Sequence, residues 1–127
     1  MANLKTTTID GGLTEKEGTA TWPNGTTLTV DLLTGSFFEV DLVSASGTIT
    51  AFNISNPHAT QVSEFKIKLI QHSSARQFNW GGLSAFKWAG GTGPTLTTGD
   101  GNVDILSFTT YNEGSTWFGK VVGQNFS

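Results

Sequence analysis

A chain of 127 residues has the size of one domain and can bury about two-thirds of its surface around a single core. Only 13% of it is charged, the net charge is −3, and the basic residues Lys5, Lys16, Lys66, Lys68, Arg76, Lys87 and Lys120 are scattered, which argues against a phosphate-binding surface and so against nucleic acid as a partner. The lack of cysteine excludes a disulfide framework, a thiolate zinc site and a thiol nucleophile.

The N-terminal stretch "MANLKTTTIDGGLTEKEGTA" is polar, interrupted by Gly11, Gly12 and Gly18, with Leu4, Ile9 and Leu13 as its apolar anchors. It reads as an arm or tail over residues 1–20, leaving a domain over residues 21–127. Within it, Thr14 is placed to cap one helical turn that Gly18 ends. It lacks the apolar run of a signal peptide, and nowhere does the chain approach the ~20 apolar residues of a membrane-spanning helix. The expectation is a soluble chain made in the cytoplasm, with no membrane partner.

Beyond residue 26 the apolar residues recur with period two, the mark of half-buried strands. "TLTVDL" sets Leu28, Val30 and Leu32 against Thr27, Thr29 and Asp31. "FFEVDLV" sets Phe38, Val40 and Leu42 against Glu39 and Asp41. "TITAFNI" alternates less clearly, with Ile49 and Ala51 on one side and Phe52 and Ile54 on the other. "SEFKIKLIQ" places Phe65, Ile67 and Leu69 opposite Glu64, Lys66 and Lys68. Lastly, "VDILSFTTY" and "TWFGKVVGQ" read as two long strands with apolar residues on both faces.

Turn chemistry separates these runs at Pro23–Gly25, Thr34–Ser36, Ser46–Thr48, Ser55–His58 and Thr98–Asn102. "YNEGST" (Tyr111 to Thr116) carries a hairpin signal. Strands every 8–12 residues with little helical periodicity predict an all-β fold: an antiparallel β-sandwich, jelly-roll-like, in a single domain with a polar N-terminal arm.

Reactive groups are few. His58 and His72 sit in separate turns, and no G-x-S-x-G elbow marks a nucleophilic serine. Glu39 and Asp41 share a strand face that reads as the solvated side of the sheet. Asp100, Asn102 and Asp104 in "DGNVD" begin like a calcium loop, but Ile105 and Tyr111 stand where an EF-hand needs Gly and Glu. Asp104 reads instead as the start of a strand, accepting backbone N–H bonds. "GGTGP" (Gly90 to Pro94) lacks the G-K-[ST] of a phosphate cradle; glycines beside Trp88 suit a sharp reversal and a close approach to the indole. The expectation is a protein without enzymatic activity, catalytic residues, metal or cofactor.

The aromatics Phe78, Trp80, Phe86, Trp88, Phe108, Tyr111, Trp117 and Phe118 admit two readings. They stack on sugars at an exposed surface, or they fill the core and a subunit interface. Trp80, Phe86, Trp88, Tyr111, Trp117 and Phe118 are the candidates for interface or stacking roles. Adjacent in one strand, Trp117 and Phe118 must point to opposite faces, which favours an oligomer or docking surface.

The stretch "FKWAGGTGPTLTTGDGNVDILSFTTYNEGSTWFGKVVGQNF" resembles a C-terminal β-module of tailed-bacteriophage virion proteins. The resemblance rests on Trp88, Gly90, Gly91, Pro94, Leu96, Val103, Asp104, Phe108, Gly114, Trp117, Gly119, Gly123 and Phe126, and "FEVDLVSASGTITAFNISNP" and "FKIKLIQ" look like its earlier strands. It implies a non-enzymatic structural protein of the virion. Because the module is nearly the whole chain, the expected role is a capsid decoration (cement or knob) protein, a homotrimer bound to the major capsid protein. The alternative is a tail-fibre or receptor-binding module, for which a glycan is a possible partner.

Overall fold

The computed structural model describes residues 14–19 and 21–127. The arm expected over residues 1–20 falls largely outside the described residues. Among the described residues seven strands form: β1 (Thr27–Asp31), β2 (Phe37–Asp41), β3 (Ala51–Ser55), β4 (Ser63–Ile70), β5 (Phe86–Trp88), β6 (Val103–Thr110) and β7 (Trp117–Phe126). They make an all-β sandwich of a two-stranded sheet, β1-β3, and a five-stranded sheet ordered β2-β4-β6-β7-β5.

The alternation places the strands' buried faces. Leu28, Val30 and Phe52 of the small sheet meet Phe38, Val40, Phe65, Ile67, Leu69, Leu106, Phe108 and Trp117 of the large one in one continuous core. In β3 the inward residues are Phe52 and the half-buried Ile54, while Asn53 is exposed. Ile49, just before the strand, is also buried, where it bridges to Phe78.

Strand direction departs from expectation. The β4–β6 and β6–β7 pairs are antiparallel, but β1–β3, β2–β4 and β5–β7 are parallel. The sandwich is therefore mixed. From β1 to β4 the chain alternates between the sheets at each strand, so neighbours within a sheet are two strands apart in sequence and run the same way. Period-two patterning specifies which face is buried, not which strand lies alongside.

No helical turn forms at Thr14–Gly18. This stretch runs extended beside β2, where Gly18 N–H donates to Phe37 O at 2.7 Å, Ser36 N–H to Lys16 O at 2.9 Å and Thr21 N–H to Glu39 O at 3.2 Å. The open edge of β2 offers more backbone partners than one isolated turn would satisfy. Gly18 suits this path because a Cβ there would collide with the Phe38 ring.

The outer face of the large sheet carries charge at its β2–β4 side. Lys68 pairs with Glu39 at 3.3 Å across the parallel register, and Lys66 with Glu15 at 2.9 Å. These are exposed pairs of small energetic weight. Towards β7 the same face also exposes Phe118 and Val122, on either side of Lys120.

Candidate functional site

An aromatic cleft forms where the segment after β4 meets the loop after β5. Backbone bonds fix the first wall: Ile49 N–H donates to Gln77 O at 2.8 Å and Asn79 N–H to Ile49 O at 2.9 Å. The Gln77 side chain then clasps Leu96, donating to its carbonyl at 3.0 Å and accepting its N–H at 2.7 Å. Trp80 closes the second link, its indole N–H donating to Pro94 O at 3.0 Å. Gly90 and Gly91, with φ of 77° and 81°, carry out the reversal expected beside Trp88, in a region that side chains disfavour.

Trp80, Phe86 and Trp88 are brought together here. Trp80 stacks on Phe78, with ring centroids 4.6 Å apart and planes within 5°, and meets Trp88 edge-on at 4.8 Å and Phe86 at 5.9 Å. Two glycines make this approach possible: Gly93 lies where a Cβ would run into the Trp80 ring, and Gly119 lies against the Trp88 ring. The resulting cleft has a volume of about 410 Å³ and is lined by Phe78, Asn79, Trp80, Trp88, Thr92 and Pro94, among others. Phe86 is buried beneath it; Trp80 and Trp88 are half-buried.

Trp117 belongs to the core at 2% exposure, edge-on to Phe65 at 5.2 Å. Its neighbour Phe118 points out of the sheet at 52% exposure and packs against Tyr111, itself 69% exposed, with centroids 6.2 Å apart. The opposite-face expectation for this pair matches their positions. Val122 and Phe126 are also exposed along β7, with Lys120 between Phe118 and Val122. A shallow groove of about 320 Å³ runs beside Phe118 and Val122 over Ser107 and Lys120.

Phe52 is an aromatic whose central place sequence patterning leaves unmarked. It stacks on Phe86 at 5.0 Å and meets Phe65, Phe78 and Phe108 within 6.3 Å. Its unclear alternation in "TITAFNI" hid it. Gln71 is a second such residue, buried at 4%. Its amide donates to the carbonyls of Arg76 and Thr97 and its oxygen accepts from the N–H groups of His72 and Arg76. No sequence motif marks a lone glutamine of this kind.

Asp104 is buried and accepts Thr97 N–H at 2.7 Å, Asn125 N–H at 3.0 Å and the Gln124 amide at 3.0 Å. Burial pushes its carboxyl up. The bonds from Asn125 and Thr97, with that from Gln124, outweigh burial and hold it below the usual aspartate value. Its role is to pin the irregular end of β7, where the register against β6 shifts. His58 and His72 each accept a backbone N–H two residues on, from Thr60 and Ser74, and act as turn residues. Among the described residues no three His, Cys, Asp or Glu side chains gather into a metal-binding group, and no helix is long and apolar enough to cross a membrane.

Compared with protein-family models, curated proteins and solved structures, the chain finds no match.

Proposed function

We propose that this chain is a non-enzymatic structural protein of a phage virion, a capsid decoration protein that binds the head surface as a homotrimer. The carrying observation is the exposed aromatic pair Tyr111 and Phe118, in contact with each other at the start of β7, with Val122 and Phe126 also exposed further along the strand. An exposed pair of packed aromatics suits a protein–protein contact better than a surface left in water. The sequence resemblance supplies the setting, and a sandwich built on one continuous core suits a structural part.

In this reading the trimer, made in the host bacterial cytoplasm, lies across junctions of the major capsid protein. Contacts that exist only on the assembled shell stabilise that state by mass action. Many weak contacts repeated over the shell add through multivalency.

A second reading, a tail-fibre or receptor-binding module, draws support from the aromatic cleft. Immunogold electron microscopy of intact virions with antibody to this chain separates the two. Label spread over the head is the expected result. Label confined to the tail would overturn decoration and favour the receptor-binding role.

A further inference from the structure

We infer that the cleft between the 77–81 segment and the 91–95 loop is a binding site for neutral carbohydrate. The inference concerns this cleft alone and does not rest on where in a virion the chain sits.

Three features of the cleft converge on that ligand class. Its walls present indole surface from Trp80 and Trp88, both half-buried and open in part to the cleft. Aromatic surface is what the C–H face of a pyranose ring packs against, since it is apolar and carries the negative face of the ring quadrupole. Beside the rings stand polar groups left unengaged. The Asn79 oxygen accepts Gly82 N–H at 3.3 Å, but its NH₂ group and the hydroxyls of Thr92 and Thr95 have no hydrogen-bond partner among the described residues. Amides and hydroxyls that both donate and accept suit sugar hydroxyls, which do the same. Finally, among the described residues no charged side chain lines the cleft. An anionic sugar would enter without a counter-charge, so the site favours uncharged saccharides.

The cleft is also firmly built. Its two walls are tied by Gln77 to Leu96 and by Trp80 to Pro94, and the aromatic floor of Phe78 and Phe86 belongs to the core. Binding therefore needs little ordering of the protein, which is the condition for a small ligand to be held at all. Its volume of about 410 Å³ lies within the range of about 300–1,000 Å³ for small-ligand sites and suits a short stretch of a glycan.

The test is a glycan array of neutral and sialylated or uronic-acid glycans probed with the full chain, followed by titration of the best neutral oligosaccharide against tryptophan fluorescence. The expected result is saturable binding of at least one neutral glycan, with a shift in emission from Trp80 and Trp88. The double variant Asn79→Ala, Thr92→Ala should weaken that binding at least tenfold while the melting temperature stays near the parent's. Should the double variant fold poorly, Thr92→Trp, which places a bulky side chain at an exposed position of the cleft mouth, should block binding by itself. Binding of anionic glycans alone, binding unchanged in a folded cleft variant, or no neutral glycan bound would each overturn the inference.

Discussion

Asp104 Oδ1 accepts the backbone N–H of Asn125 at 3.0 Å, and Asn125 holds a left-handed φ of 60°. A buried carboxylate on β6 thus fixes the strained backbone near the end of β7. The bond matters because the end of β7 carries the exposed Phe126, part of the proposed contact surface.

Stability should fall in acid through this group. The folded carboxyl titrates below the unfolded one, so its contribution is complete above the unfolded value of about 3.9 and is lost as pH falls through the folded value. Asp31, lowered by the Asn56 side chain and Leu33 N–H, acts in the same direction. Replacing Asp104 by Asn should cost roughly 1.5–3 kcal/mol at neutral pH, the scale of a hydrogen bond to a charged group. Thermal melts from pH 7 to pH 2 should show the gap between parent and variant closing below about pH 4. A gap independent of pH would show that the carboxylate charge does not contribute.

Gly119 lies under Trp88: a Cβ there would stand 2.6 Å from Cζ3 and 2.7 Å from Cη2 of the indole. Gly119→Ala should destabilise by roughly 1–3 kcal/mol, as overpacking does, and should alter the tryptophan emission because the ring must move. Chemical denaturation followed by fluorescence reads both. A variant as stable as the parent with unchanged emission would place the ring elsewhere.

Gln71 satisfies four backbone groups around the 71–77 turn and Thr97. Gln71→Ala leaves carbonyls and N–H groups there without partners, at about 1–3 kcal/mol for each one that water cannot reach. The expected outcome is a lower denaturation midpoint, with faster amide exchange at Arg76. Unaltered exchange at Arg76 would argue against the clasp.

Tyr111 and Phe118 are proposed to meet another subunit or the shell, so Tyr111→Ser with Phe118→Ser should reduce the oligomer to monomer. Surface changes of this kind usually alter domain stability by no more than about 0.5 kcal/mol. Multi-angle light scattering measures the mass, and a thermal melt checks the fold. A parent that is monomeric at high concentration, or a variant still trimeric, would count against this surface as the subunit contact.

The six aromatics singled out in the sequence separate into distinct environments only in three dimensions. Trp117 and Phe118 could be assigned to opposite faces beforehand, since side chains alternate along any strand. Which of the two faced the core depended on the neighbours of β7, namely β6 and the short β5. Likewise, Trp80 and Trp88 share a cleft because Gln77, Pro94 and Leu96 tie two distant loops together, a pairing with no local signature.

The sequence by itself determined the all-β class, the inward residues of β2 and β4, and the positions of most turns, because these follow from period-two burial and from the backbone preferences of Gly, Pro, Asn and Asp. Tertiary structure alone decided the strand partners and their direction, the edge along which Lys16, Gly18 and Thr21 run, and the central place of Phe52. Those depend on contacts between residues far apart in the chain, and alternation is the same whether a strand's neighbour runs with it or against it.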